Sequence, residues 1–344
     1  MTKILYSLAF ATFFAATLSV VPPASAVQSA SLTGAGSTFV YPVMARWAAD
    51  FKQSHPGVEI NYQSIGSGAG IQQVKNQTVD FGASDVALND EQLKTMPAPV
   101  VQIPESAGPV CITYNLPLSK PLQLTAETLS GIFLGTITKW NDSRIVAANP
   151  GVSLPESAIL VAHRSDGSGT TGIFTAYLSS VNPVWKAKVG SGTSVSWPIG
   201  LGGKGSEGVT GLVKQTAGAI GYVELTYANE NHLPVAAIRN RDGKYVAPSA
   251  AGTSAAIDAS AAVLARDVRI AIVDAPGPKS YPISGLTFLI IPKNGNNQAK
   301  RAALKEFVQY ILTRGQASAG ALNYAPLPAS IQKLDQGLLG QLDH

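Results

Sequence analysis

The sequence predicts an α/β fold organised as two lobes, each a mainly parallel sheet flanked by helices, with a ligand cleft between them. Three observations predict it. Strand-like and helix-like segments alternate, an order that gives parallel strands with helices on both faces. The chain has 344 residues, more than one hydrophobic core organises. A 45% hydrophobic and 13% charged composition with 33 glycines suits a compact chain rich in tight turns and excludes a disordered one.

The elements follow in chain order. Met1-Thr2-Lys3 is a short positive region, Ile4 to Val21 is apolar and uncharged, and Ala24-Ser25-Ala26 has the small-x-small pattern of a signal peptidase site. Residues 1–26 therefore read as a secretory leader cut after Ala26, which places the mature chain in the periplasm. Ser31-Leu32-Thr33-Gly34 is a strand. Pro42 to Gln53 has helical spacing of Val43, Trp47 and Phe51, with Pro42 in the first turn where its missing N–H costs nothing. Val58–Tyr62 alternates as a strand, Gly70–Asn76 is a second helix, and Val79–Ser84 is a strand with its exit loop.

A second region of the same kind begins near Ala107. It holds the strands Val110–Tyr114, Ile159–His163 and Ala219–Val223 and the helices Thr125–Phe133 and Gly172–Val181. Ala247–Ala262, rich in Ala and Ser, reads as a loop running into a helix. Leu286–Ile291 is a further strand, followed by an amphipathic segment, Lys300–Leu312.

Charge and cysteine usage narrow the function. The formal charge of +4 is too weak and too scattered for nucleic acid, yet compatible with a small anion. Cys111 is the single cysteine, so no intramolecular disulfide forms. Its strand-like setting makes it a small buried hydrophobe. His55, His163, His232 and His344 lack metal-ligand spacing, and no Gly-x-Ser-x-Gly elbow occurs, so neither a metal centre nor an activated serine is expected. Gly200-Leu201-Gly202-Gly203-Lys204-Gly205 fits Gly-x-Gly-x-x-Gly, but no clear strand precedes it. It reads as a turn-rich loop.

Three segments concentrate the chemistry. They are Thr33-Gly34-Ala35-Gly36-Ser37-Thr38-Phe39, Ser64-Ile65-Gly66-Ser67-Gly68-Ala69-Gly70, and Arg164-Ser165-Asp166-Gly167-Ser168-Gly169-Thr170-Thr171. Each follows a strand, opens a helix, and combines glycines with hydroxyls. A helix N-terminus offers unpaired N–H groups and partial positive charge to an anion. In one loop the hydroxyls are adequately explained as N-caps. Three such loops, all at the carboxyl ends of strands in an open sheet, mark a binding cleft. Arg164 has the fork that grips a tetrahedral oxyanion, and Asp166 two residues on is placed to hold it. Asp85 repels an anion unless the ligand donates a proton, as hydrogen phosphate does and sulfate at neutral pH does not. Taken alone, Asp85 is also explained as a turn or helix cap.

At these residues the sequence resembles the periplasmic phosphate-binding proteins of the high-affinity phosphate ABC transport system. Val79–Asp85, Trp197–Gly205, Gly218–Glu224 and Tyr324–Pro328 carry the likeness over nearly the whole mature chain. The resemblance implies a type II-like periplasmic binding protein that binds inorganic phosphate and passes it to the permease subunits of an ABC importer. It implies no catalysis, no cofactor, no metal and a monomer. Binding of another oxyanion and a secreted phosphatase are the alternatives. The implied ligands are Thr38, the Phe39 N–H, Ser67, Asp85, Arg164, Ser168, the Gly169 N–H and Thr170, with Asp166 supporting Arg164. Ser37 and Gly68-Ala69 depart from the family pattern. Lobe 1 would be 27–105 plus 283–344 and lobe 2 would be 106–282, with hinges near 105–108 and 281–284. Pro104, Pro109 and Pro282 flank them, which suits a defined hinge.

Overall fold

A computed structural model describes residues 29–295 and 297–343. The expected leader lies outside the described residues. The strands are β1 (Ala30–Gly36), β2 (Val58–Ser64), β3 (Phe81–Ser84), β4 (Val100–Tyr114), β5 (Gln123–Leu124), β6 (Leu160–Arg164), β7 (Leu201–Gly203), β8 (Ala219–Glu224), β9 (Ala237–Arg239), β10 (Tyr245–Val246) and β11 (Ser284–Pro292). Eight of them form one hydrogen-bonded sheet in the order β2-β1-β3-β11-β4-β8-β6-β7, and β10-β9-β5 form a small second sheet.

The large sheet has two parallel blocks. In one, β1 pairs parallel with β2 and β3. In the other, β6 pairs parallel with β7 and β8. The blocks are joined by antiparallel pairing of β3 with β11, β11 with β4, and β4 with β8. A single strand, β4, serves both: residues 100–109 pair with β11 and residues 110–114 with β8. β3 and β8 are buried along their whole length, as strands covered on both faces are.

Helices cover the sheet through apolar stripes. The helix Tyr41–Ser54 buries Val43, Met44, Trp47 and Phe51, a spacing that puts all four on one face. The helix Gln298–Leu312 buries Ala303, Leu304, Phe307, Val308 and Ile311 in the same way, and Phe51 meets Phe307 edge-on with ring centroids 5.2 Å apart. Cys111 is buried and free, as expected of a small core residue. Among the described residues, no helix is long and apolar enough to cross a membrane.

Three local expectations need correction. The helices expected at Gly70 and Gly172 begin earlier, at Ser67 and Gly169. Both starts are glycine-rich and so score poorly for helix. The second start is fixed by the Ser168 hydroxyl, which accepts from the Thr171 N–H at 3.1 Å. Gly200–Gly205 is not a turn-rich loop. It contains edge strand β7 and then opens the helix Gly205–Gln215. What makes a strand there is pairing with β6, Ala162 opposite Leu201, a tertiary effect that local pattern does not carry. Ala247–Ala262 does run from a loop into a helix, Ala250–Ala259, capped by the Ser249 hydroxyl on the Gly252 N–H.

The ladder between β4 and β11 carries a bulge. Thr287 pairs with Ser106 and Phe288 with Pro104, so Glu105 is an extra residue on β4. Glu105 is fully buried, and neither carboxyl oxygen has a hydrogen-bond partner. Burial, and then the nearby Asp85 charge, push its carboxyl well above the ordinary carboxylate range. The folded chain therefore keeps a proton that the unfolded chain releases. Above the ordinary carboxyl pKa the unfolded state binds fewer protons, so stability falls as pH rises. Glu105→Gln is expected to flatten that fall. Urea unfolding of both proteins at pH 5 and pH 8 measures it, and equal slopes with pH would refute a neutral Glu105.

Candidate functional site

The site forms where β1, β2, β3, β6 and β7 end at their carboxyl ends. β1 leaves the sheet at Gly36, whose φ of +146° is open to glycine, and a Cβ there would lie 2.1 Å from the Ala83 carbonyl oxygen. The Ser37 N–H then donates to that carbonyl at 2.9 Å. Because Gly36 pairs with Ala83, Ser37-Thr38-Phe39 leaves β1 beside the point where Ser84-Asp85 leaves β3.

The two sides of the cleft meet directly. The Gly68 N–H donates to the Gly167 carbonyl at 2.9 Å. The Thr38 hydroxyl lies 2.8 Å from the Ser206 hydroxyl and accepts from the Ser206 N–H at 3.2 Å. The Tyr227 hydroxyl donates to the Thr38 carbonyl at 2.6 Å. Gly66, with φ of +90°, admits the Arg164–Asp166 pair, since a Cβ there would fall 2.3 Å from an Asp166 carboxylate oxygen.

All the charged and hydroxyl residues expected to bind the ligand come together here. Thr38, Ser67, Asp85, Arg164, Ser168 and Thr170 are each at most 4% exposed. The Ser67 hydroxyl accepts from the Gly169 N–H at 3.1 Å and the Asp85 N–H at 3.4 Å. The Thr170 hydroxyl donates to Asp85 Oδ2 at 3.4 Å. Arg164 grips Asp166 with two parallel bonds, Nε to Oδ1 at 2.8 Å and Nη2 to Oδ2 at 2.6 Å. Ser168 caps its helix, as its hydroxyl position allowed. The Phe39 N–H donates to the Ser37 hydroxyl at 3.0 Å, while its ring packs edge-on against Tyr324.

The electrostatics suit a proton-bearing anion. Burial pushes the Asp85 carboxyl up to about 7, against the pull of the Ser37 hydrogen bond, the Arg164 charge and Thr170. Partial burial acts to raise Asp166, but the Arg164 guanidinium and the Gly205 N–H hold it below the ordinary range. Arg164 is thus clamped from one side, and the partial positive charge of four helix N-termini, at Tyr41, Ser67, Gly169 and Gly205, converges on the same space. Among the described residues, no cluster of three or more His, Cys, Asp or Glu side chains is arranged to hold a metal.

Four contributors were missed in the sequence. Ser37, read as a departure, donates its hydroxyl proton to Asp85. Gly205 and Ser206 reach across to Asp166 and Thr38. Gly203-Lys204-Gly205-Ser206 has the same mix of glycine and hydroxyl before a helix as the three recognised loops, and that was the available signal. Tyr222 takes the Arg164 N–H at 3.1 Å and lies 2.6 Å from the Thr171 hydroxyl, bracing the third loop. No local pattern marked it.

Comparison with known proteins supplies the lineage. A family model described as a PBP superfamily domain matches residues 21–314. The phosphate-binding protein PstS of Xylella fastidiosa (strain Temecula1) is 45% identical over 314 residues, covering 91% of this chain and 85% of that protein. The phosphate-binding protein PstS of Haemophilus influenzae is 41% identical, covering 93% and 95%. Among solved structures, PfluDING, a high affinity periplasmic phosphate-binding protein bound with phosphate, superposes with a TM-score of 0.74 at 22% identity, covering 90% of this chain and 93% of that one. The strand-end loops, the two-block sheet and these likenesses together place the chain in the PBP superfamily, as a member of the PstS family of phosphate-binding proteins.

Proposed function

We propose that this protein binds inorganic phosphate in the periplasm with high affinity and delivers it to an ABC importer. It acts as a binding protein and not as an enzyme. The observation that carries the reading is a buried carboxyl, Asp85, set among hydroxyls, helix N-termini and a clamped arginine. A carboxylate in an anion site is matched only by a ligand that brings its own proton, because a buried acceptor facing an oxygen lone pair is left unpaired. Hydrogen phosphate meets that condition.

The ligand set is Thr38, the Phe39 N–H, Ser67, Asp85, Arg164, Ser168, the Gly169 N–H and Thr170, with Asp166 orienting Arg164. The Ser67 hydroxyl accepts from the Asp85 and Gly169 N–H groups in this structure; when the anion takes the Gly169 N–H, the hydroxyl keeps the Asp85 N–H and has its own proton to donate. Lobes of 27–105 plus 283–344 and of 106–282 close on this set. The hinges fall near 105–108, within β4, and near 281–284, where the chain enters β11. The protein works as a monomer and presents its closed form to the permease subunits.

Titration calorimetry of the ligand-stripped mature protein tests the reading. Phosphate is expected to bind one-to-one at pH 8.5, above the value near 7 to which burial pushes the Asp85 carboxyl, with sulfate giving no response there. Asp85→Asn is expected to shrink the phosphate-to-sulfate difference by about 1–3 kcal/mol, the scale of one buried unpaired group. An amide donates as well as accepts and so admits sulfate. Equal binding of both anions by the unaltered protein would discard the proton-matching account, and no binding of either would discard the function.

A further inference from the structure

Resting on the phosphate reading, we infer that Ser37 is a positioning residue for anion selection, whose hydroxyl holds the Asp85 carboxyl in its proton-accepting state. The inference comes from the bonds the hydroxyl makes. Its single proton goes to Asp85 Oδ1. Its oxygen accepts from the Phe39 N–H at 3.0 Å and the Val40 N–H at 3.4 Å, the two amides just before the helix Tyr41–Ser54. Both amides sit on its oxygen in this structure and turn its proton toward Asp85; when the anion takes the Phe39 N–H, the Val40 N–H keeps that orientation. It is a donor fixed toward Asp85, backed by the positive end of a helix.

The backbone of Ser37 is fixed as well. Its N–H is tied to the Ala83 carbonyl, and its own carbonyl accepts the Tyr62 hydroxyl at 2.9 Å. Tyr62 lies on β2 and Ala83 on β3, so two strands hold one serine against the carboxyl that follows β3.

Asp85 needs that donor. The charged and titratable groups around it are Arg164 from the end of β6, Glu105 from β4 and Tyr62 from β2, with Asp166 behind Arg164. Arg164 divides its attraction between Asp85 and Asp166. Burial favours the protonated acid, and the Ser37 hydrogen bond is the foremost influence opposing it. A protonated Asp85 would be a donor. It would then match sulfate, and its selectivity would be lost. Ser37 therefore sets the pH below which the site stops discriminating.

The sign follows directly. Removing a bond to the charged form raises the carboxyl pKa. In Ser37→Ala, sulfate binding is expected to set in at a pH about one unit higher than in the unaltered protein, the shift expected for losing a charge-assisted hydrogen bond. Ser37→Thr keeps the hydroxyl and is expected to restore the original onset. Calorimetry with phosphate and with sulfate from pH 5.5 to 9 reads this. A uniform loss of phosphate affinity at every pH, with no change in sulfate onset, would reduce Ser37 to a helix cap and overturn the inference. So would a variant unchanged throughout. Carboxyl NMR titration of Asp85 in the ligand-free proteins separates the two readings. An upward shift in Ser37→Ala supports the link even if phosphate itself fails to bind. An unmoved titration refutes the link even if phosphate binds tightly.

Discussion

Replacing Arg164 with alanine is expected to weaken phosphate binding by about 2–5 kcal/mol, or roughly thirtyfold to several thousandfold in Kd. Two losses combine. The guanidinium is the only buried cation at the cleft among the described residues, and its side chain is 2% exposed. Without it, the fork that faces a tetrahedral anion is gone. Asp166 then remains, half-buried and uncompensated, beside the incoming negative charge. The Gly205 N–H at 3.0 Å is a single amide and does not replace a cation. Arg164→Lys keeps the charge but not the parallel pair of bonds, so it is expected to fall between the two. Calorimetric titration measures both variants, and near-normal affinity in Arg164→Ala would place the arginine outside the site.

Trp47→Ala is expected to cost about 3–5 kcal/mol of folding stability, the range for removing a large aromatic from a packed core. Trp47 is fully buried, and its indole N–H donates to the Gly315 carbonyl at 2.8 Å. That bond fastens the helix Tyr41–Ser54 to the chain that follows the helix Gln298–Leu312. The substitution leaves both a cavity and an unpaired carbonyl. Trp47→Phe keeps most of the apolar volume and is expected to lose about 1 kcal/mol, the scale of one hydrogen bond. Denaturant unfolding gives both values. Phosphate stoichiometry in the folded fraction of Trp47→Ala should stay at one, since Trp47 is outside the ligand set and its indole bonds Gly315.

The fold was legible because its signals are local. Trp47 and Phe51 at helical spacing, and the mostly apolar β11, announce their burial without knowledge of their partners. The expected ligands were legible because anion chemistry demands glycine and hydroxyl at a strand-to-helix junction. What was not legible depends on pairing across the chain. β7 is a strand because β6 lies beside it, and Tyr222 braces Arg164 because β8 lies beside β6. Ser37 was discounted for differing from its relatives' pattern. Its role emerges only once the pairing of β1 with β3 puts its hydroxyl against Asp85. Likewise Glu105 sits in a plain extended run, and nothing there reveals that the opposing strand skips it.

The shared strand β4 also governs the order in which the chain becomes a finished object. Nine of its first ten residues pair with β11, which is not synthesised until most of the polypeptide has already been made. Until then β4 has an open edge, the block holding β1, β2 and β3 lacks its joining strand, and the cleft has one wall. Contacts so distant in sequence form slowly, because a long loop must close before any of them is gained. A newly made chain therefore stays incompletely folded until its last quarter arrives. For a polypeptide threaded through a membrane before it folds, as the expected leader would require of this one, such a delay would be an asset.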